Sequence, residues 1–226
     1  MERPLVSIIV ATLNSEKYLE GALSSIACQT YSNYEILVVD GGSKDSTKEI
    51  VLSFKNTKFI VQQGRGLFNA WNQGVKLANG RFIGFLDSDD SWLPNTLSLH
   101  LDILLEDENL LGSVGHVKFF INSNETPPPE FRIDLLNESK LAYMPGCFIG
   151  RKKIFELIGY FETQWAIASD ILWFARVKEL NPKIALINEI VLYKRVHENN
   201  LSYYGTKTGT YRKELLELLH KKLRKK

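Results

Sequence analysis

Three aspartates, Asp87, Asp89 and Asp90, crowd into the stretch Arg81–Pro94, which reads RFIGFLDSDDSWLP. Carboxylates this close repel one another and stay ionised together only when something positive joins them. A divalent cation answers that need, because Mg²⁺ typically takes one or two carboxylates plus substrate phosphates. The residues before them, Phe82, Ile83, Phe85 and Leu86, have the pattern of a buried central strand. Acids at the carboxyl end of such a strand sit where open α/β sheets bind ligands. The plain alternative is a polar turn, with Asp90 or Ser91 capping a helix that opens near Pro94. Three further groups stand out. Asp40 closes a second apolar run just ahead of Gly41-Gly42. Asp170 opens a helical segment flanked by Trp165, Ile167, Trp173 and Phe174. His197 is a lone histidine in RVHENNLS. Their bland readings are a turn former, a helix N-cap and a histidine holding a local hydrogen bond.

The elements that must position these residues follow from the periodicity. Leu5–Leu13 and Tyr34–Val39 are apolar nearly throughout, as strands covered on both faces are. Asn14-Ser15 ends the first and caps a helix from about Glu16 to Gln29, with Tyr18, Leu19, Ala22, Leu23, Ile26 and Ala27 on one face. Ser46 and Glu49 are spaced as a capping box for a second helix. Lys58–Gln62 reads as a short strand and Gly66–Ala78 as a helix stopped by Asn79-Gly80. Strand and helix alternate four times before the aspartates, which predicts an α/β, Rossmann-like, mostly parallel sheet flanked by helices. Right-handed crossovers then bring Asn14, Asp40 and Asp87 to one rim.

The second half is less regular. Pro94–Glu106 is an amphipathic helix, Val114–Ile121 a strand, and Asn122–Lys140, with Pro127-Pro128-Pro129, a long loop of the kind that serves as a lid. Helices follow at Arg151–Ile158 and Asp170–Leu180, then a strand or hairpin edge at Ile184–Val196. A basic amphipathic helix covers about Tyr211–Leu223. No linker divides the chain, so residues 1–226 read as one domain. It comprises a nucleotide half (about 1–94), an acceptor half (about 95–206) and a basic tail (207–226).

Composition bounds the possibilities. The chain has 226 residues, 44% of them hydrophobic and 24% charged, enough to bury a full core. A net charge of +2 gives no uniform field for nucleic acid. Cys28 and Cys147 lie outside any C-x-x-C spacing, and Cys28 falls on the apolar side of its helix, which predicts a buried thiol in a reducing compartment. The N-terminus lacks a signal peptide's pattern, and no apolar run reaches the roughly 18 residues of a membrane span. The expectation is a soluble cytoplasmic protein. Its tail, from Lys207, carries eight Lys or Arg against Glu214 and Glu217, a net +6 that leaves −4 for the remainder.

The chain resembles the inverting family 2 glycosyltransferases of the GT-A fold. The resemblance is carried by VSIIVATLNSEKYLEGALSSI, QTYSNYEILVVDGGSKDST and NAWNQGVKLANGRFIGFLDSDD. It continues more thinly through MPGCFIGRKKIFELIGYFE, WAIASDILWFARV and RVHENNLS. It implies transfer of a sugar from a nucleotide donor, a uridine nucleotide fitting best, to a glycan or lipid-linked acceptor, with Mg²⁺ or Mn²⁺ as cofactor. Thr12, Asn14 and Glu16 would meet the nucleotide, and Asp40 would accept the N–H of the base's Watson–Crick edge. In the implied D-x-D motif Asp87 would hold the ribose or a metal-bound water, and Asp89 the metal. His197 would contact diphosphate or metal, and Asp170 would be the general base, with Arg176 matching the motif around it. Asp90 is expected as a helix cap or a residue behind the ligands, the cap being preferred.

The chain departs from the family at Gly64-Arg65-Gly66-Leu67-Phe68-Asn69-Ala70. Many relatives carry acids at the positions of Gly64 and Asn69, so Arg65 is expected to meet a phosphate or an acidic sugar. Two alternatives remain at this level: a haloacid-dehalogenase-like phosphatase, and a catalytically degenerate GT-A protein that only binds carbohydrate. The tail reads either as a packed helix with a solvated basic face or as a peripheral anchor on an anionic membrane face.

Overall fold

The computed structural model describes residues 3–129 and 131–223. Four strands, β1 (Val6–Thr12), β2 (Tyr34–Asp40), β3 (Thr57–Val61) and β4 (Phe82–Phe85), run parallel in the order β3-β2-β1-β4. The helices between them are α1 (Leu19–Ala27), α2 (Thr47–Ser53) and α3 (Leu67–Leu77). This is the expected crossover pattern, and it brings Thr12 and Asp40 side by side as register partners.

Beyond β4 the sheet becomes mixed. β5 (Ser91–Trp92) and α4 (Thr96–Glu106) precede β6 (Gly112–Phe120) and β7 (Ser139–Leu141). Then come β8 (Phe148–Arg151), α5 (Ile154–Ile158), α6 (Ser169–Leu180) and β9 (Ile184–Arg195). Two helices end the chain, α7 (Leu201–Lys207) and α8 (Thr210–Leu223). The strand order continues from β4 through β8, β6 and β9 to β5, with β7 on β6. β8 is antiparallel to both neighbours, whereas β6 and β9 are parallel. The two halves of the chain therefore share one nine-stranded sheet.

Strand residues alternate between two cores, as a sheet buried on both faces requires. Ile8, Val10, Ile36 and Val38 pack with α1, Val51 of α2, and Leu97, Leu101 and Leu104 of α4. Ile9, Leu37, Val39, Ile83 and Phe85 face α3, α5 and α6, where Trp71, Phe155, Phe161 and Trp173 form an aromatic cluster. Helix α3 lies so close to β1 that a Cβ on Gly74 would come 2.5 Å from Ile9 Cγ2.

Several expectations fail for local reasons. α1 starts at Leu19 rather than Glu16. Asn14 sits at φ 49°, and the amides of Ser15 and Glu16 are taken by Thr47 Oγ1 and Asp45 Oδ2 at 3.0 Å each, so this stretch belongs to a loop–loop contact. Cys28, expected buried, is exposed because α1 ends at Ala27 and Cys28 is its C-cap; Cys147 is the buried thiol. Ser46 makes no side-chain cap on α2, so the expected capping box does not form. The helix expected over Arg151–Ile158 is shorter, because Arg151 still belongs to β8 and α5 covers only Ile154–Ile158 before Gly159 at φ 81°. The 122–140 loop holds a 3-10 turn at Ile133–Leu136 and pairs briefly with β6 through β7.

Candidate active site

β1 and β2 end together, and their last residues make a small cradle. Thr12 is 6% exposed, and its Oγ1 is buried without a hydrogen-bond partner. A buried hydroxyl of this kind is costly unless a ligand completes it. Beside it, Asp40 Oδ2 accepts the amides of Gly42 and Ser43 at 2.9 Å each, and Oδ1 accepts the Ser43 hydroxyl. Asp40 therefore shapes the turn, as its plain reading anticipated. A carboxylate has about four acceptor sites, so capacity for a base N–H remains. Asn14 crosses to the same turn, its Oδ1 accepting the Lys44 amide at 2.9 Å. Glu16 Oε2 accepts the Ser46 amide at 3.0 Å, placing this carboxylate at the entry to α2.

The D-x-D stretch follows β4. It is wrapped by the end of β9, because β5 pairs Ser91 and Trp92 with Tyr193 and Leu192. Lys194 Nζ lies 3.1 Å from Asp87 Oδ2 and 2.9 Å from Asp90 Oδ2. The Arg195 amide donates to Asp90 Oδ1 at 2.9 Å, and Arg195 Nε to the Asp89 carbonyl at 2.9 Å. Asp90, 1% exposed, thus locks β9 to the motif rather than capping α4, whose N-cap is Asn95. Burial works against the Lys194 charge, but Asp90, Asp87 and Asp89 outweigh it and hold the ammonium well above its ordinary value. Burial likewise pushes the Asp90 carboxyl up, to about 7, with Lys194 opposing and the two neighbouring acids adding.

Asp89 is held from another side. His197 Nε2 stands 2.9 Å from Asp89 Oδ2, and Asn200 Nδ2 donates to the same oxygen at 3.0 Å. His197 Nδ1 accepts the Asn199 amide at 3.2 Å, which leaves the proton on Nε2 and makes that atom the donor to Asp89. His197, expected to contact diphosphate or metal, stands in hydrogen-bond contact with the Asp89 carboxylate. Burial would raise the Asp89 carboxyl, yet the His197 hydrogen bond and the Lys194 charge bring it below the usual range. Asp87, Asp89 and Asp90 can each direct one oxygen to within 4.8 Å of the others. Both Asp90 oxygens are engaged, whereas the partners just named use Asp87 and Asp89 through Oδ2. Their Oδ1 atoms are the hard oxygen donors that suit Mg²⁺ or Mn²⁺, so the set fits a divalent cation.

The 122–140 loop reaches this site. Glu125 Oε1 accepts from Lys17 Nζ at 2.6 Å and from the Tyr18 hydroxyl at 2.5 Å. The Tyr18 ring lies 4.8 Å from that of His197, and the Arg195 guanidinium sits over both Tyr18 and Phe120. The loop before α3 is built unlike the family pattern. Gly64 and Gly66 take φ 87° and 86°, conformations that disfavour an acidic side chain, and Asn69 Nδ2 donates to the Arg65 carbonyl at 2.6 Å, which a carboxylate could not do. Arg65 is exposed, and no carboxylate pairs with it among the described residues.

Asp170 lies in the first turn of α6, whose N-cap is Ala168 and not Asp170. Its Oδ1 accepts the Ile171 amide at 2.8 Å. Trp165, Ile167, Trp173 and Phe174, the expected apolar neighbours, are all buried, Trp173 and Phe174 in the aromatic core under α6. Burial pushes the Asp170 carboxyl up to about 6; the Ile171 amide opposes, and the Asp87 charge adds. Arg176 braces the segment from behind, Nη2 donating to the Tyr160 carbonyl at 2.7 Å. Lys194, Arg195 and Asn200 escaped the sequence reading. Arg195 and Asn200 stand in the RVHENNLS stretch itself, and Lys194 directly precedes it, but only contacts across the sheet reveal what they hold.

The parallel half-sheet, the D-x-D acids at its rim and the carboxylate across from them define a GT-A architecture. The description Glycosyl transferase family 2 matches residues 7–159, and the chain belongs to that family. Over 127 residues the chain is 38% identical to the Escherichia coli protein named UDP-Glc:alpha-D-GlcNAc-diphosphoundecaprenol beta-1,3-glucosyltransferase WfgD, covering 55% of this chain and 49% of that one. An uncharacterized glycosyltransferase of Rickettsia typhi is 29% identical over 209 residues, covering 86% of this chain and 65% of its own. The chain thus spans about half to two-thirds of the length of these relatives. Among solved structures, S. aureus TarS in complex with UDP-GlcNAc matches with a TM-score of 0.67 at 25% identity, over 87% of this chain and 60% of that one. The Pyrobaculum calidifontis mannosyltransferase PcManGT, solved with GDP-Man and Mn²⁺, shares the fold with a TM-score of 0.66 at 19% identity, over 90% and 60%. Membership in the glycosyltransferase family sets the phosphatase alternative aside. Among the described residues, no helix is long and apolar enough to cross a membrane.

Proposed function

We propose that this chain transfers a sugar, with inversion, from a uridine-diphosphate donor to a hydroxyl of a lipid-linked saccharide. The observation that carries the reading is the arrangement of acids at the sheet rim. Asp87 and Asp89 follow β4 with their Oδ2 atoms held by Lys194, His197 and Asn200, and the paired ends of β1 and β2 carry the unpartnered Thr12 hydroxyl and Asp40. Uridine is supported by the UDP-GlcNAc bound to TarS and by the UDP-glucose in the name of the E. coli relative. That name also supports a polyprenyl-diphosphate acceptor, for which the basic tail offers contact with an anionic bilayer.

Thr12 Oγ1 and Asp40 take the uracil, with Asn14 and Glu16 shaping the loop around it. Asp87 and Asp89 would hold a Mg²⁺ or Mn²⁺ ion, while His197, Asn200 and Lys194 keep these carboxylates aimed. When bound, the cation supplies Lewis-acid stabilisation of the departing diphosphate. Arg65, exposed at the lip, meets donor phosphate or an acidic sugar. The acceptor hydroxyl oxygen attacks the anomeric carbon from the side opposite the diphosphate, and the sugar–diphosphate bond breaks. Asp170 takes the hydroxyl proton, and UDP leaves with the bonding electrons. A carboxyl raised to about 6 is well matched to this work near neutral pH. The intact acids argue against a binding-only protein.

The test is release of UDP from UDP-glucose and UDP-N-acetylglucosamine, with Mn²⁺ or with a chelator, in wild type and Asp89→Ala. Cation-dependent release that Asp89→Ala abolishes while the protein remains folded is expected. Full Mn²⁺-dependent turnover in Asp89→Ala would overturn the metal assignment, and retention of anomeric configuration in the product would overturn the single displacement.

A further inference from the structure

The most unusual acid outside the site just described is Glu214. The last helix, α8, is basic, and Lys207, Arg212, Lys213 and Glu217 are exposed in this part of the chain. Among the described charged side chains of this stretch, Glu214 alone is buried, at 8% exposed. A buried carboxylate is costly unless it is hydrogen-bonded or paired. No Lys or Arg pairs with it among the described residues. Instead three successive amides converge on it from a segment more than forty residues earlier: Ala166 N donates to Oε1 at 2.7 Å, and Ile167 N and Ala168 N donate to Oε2 at 3.1 and 2.9 Å.

That segment is the turn that enters α6. Ala168 is the N-cap of α6 and makes no side-chain cap, so the turn has no brace of its own there. Asp170 follows two residues later. The positive end of the α6 dipole adds to the attraction for a carboxylate at this place. Glu214 thus supplies from the last helix what the local sequence lacks.

We propose that Glu214 is a positioning residue for Asp170, strapping α8 to the turn that aims the general base. The proposal rests on the reading of Asp170 as that base. Releasing the turn lets the Asp170 carboxylate drift from the acceptor hydroxyl, and a displacement of about 1 Å at a reacting group costs about 100-fold in rate. Donor binding, which uses the β1, β2 and β4 ends, is left alone.

The experiment compares wild type, Glu214→Ala, Glu214→Gln and Asp170→Asn, and both Glu214 substitutions on the Asp170→Asn background, all as full-length chains. Turnover is read as UDP release from UDP-glucose or UDP-N-acetylglucosamine, folded fraction as the stoichiometry of UDP binding by calorimetry, and the turn by hydrogen exchange at residues 166–168. Glu214→Ala is expected to lower kcat about 10- to 100-fold with KM for the donor within about twofold, and to speed exchange at the three amides. Glu214→Gln, which keeps a carbonyl acceptor, should recover part of the rate. On the Asp170→Asn background neither Glu214 change should cost further turnover, because there is no base left to misplace. Additive losses, or wild-type kcat in Glu214→Ala, overturn the proposal. If Glu214→Ala does not fold, the Glu214→Gln pair carries the same test. The two readings fail separately: full turnover in Asp170→Asn removes the base, whereas loss there with wild-type kcat in Glu214→Ala removes only the strap.

Discussion

Replacing Asp170 with asparagine is expected to slow the enzyme and stabilise the protein in one step. The Asp170 carboxyl is raised from 3.8 to about 6, first by burial, against the Ile171 amide and with the Asp87 charge adding. Two units correspond to about 3 kcal/mol of disfavour for the ionised form, and partial solvent access to the side chain reduces the working figure to about 1–2 kcal/mol. The native state binds this proton more tightly than the unfolded chain does. The cost of ionising Asp170 is therefore fully present above pH 6, shrinks as pH falls from 6 to 3.8, and is absent below. Asparagine keeps an oxygen for the Ile171 amide, at 2.8 Å in the parent, and carries no charge. Asp170→Asn should then melt about 2–8 °C higher at slightly alkaline pH, a gain that disappears near pH 3.8. Turnover should fall about 10²- to 10⁴-fold with UDP affinity retained. Wild-type kcat should drop as pH falls through about 6 and level above it. Calorimetric melting across pH, paired with UDP-release kinetics, measures all three. An unchanged or lower Tm at alkaline pH, together with turnover within tenfold of wild type, would refute the reasoning.

Two further outcomes concern other parts of the chain. Thr12→Val removes a buried hydroxyl that has no partner, so Tm should hold or rise while UDP binding, followed by calorimetry, weakens about 2- to 10-fold, the worth of one hydrogen bond. Changing exposed Arg212 and Lys213 to serine should weaken co-sedimentation with anionic vesicles about 30-fold at low salt and leave neutral vesicles unaffected, at about 1 kcal/mol per basic residue; equal pelleting of both proteins would return α8 to ordinary packing.

Of the apolar face read along α8, Tyr211, Leu215, Leu218, Leu219 and Leu223, only the half-buried Leu215 side chain is among the described residues, and the basic side chains of Lys221, Lys222 and Arg224–Lys226 also lie outside them. Glu214 on the same helix is described, and nothing in its spacing hinted at its role. Both acids of the tail look alike as letters. Only docking of α8 turns one inward and leaves the other in water.

Sequence alone determined the parallel half-sheet, because runs such as SIIVAT and ILVVD alternate with helical spacing and can be buried only on both faces. It also placed Asn14, Asp40 and Asp87 on one rim, since strand ends joined by right-handed crossovers share one edge. Tertiary structure decided the rest. β8 is a short, fully buried strand whose neighbours β4 and β6 lie far away in the chain, and β9, legible as a strand, gave no sign of which strands it would pair with. Their pairing carries Lys194, Arg195, His197 and Asn200 onto the aspartates. The same long-range contacts turned Asp90 from an expected helix cap into a lock on β9, and brought His197 into hydrogen-bond contact with Asp89. Charge and hydrogen-bond partners in a site are set by which surfaces meet, and that is a property of the folded chain.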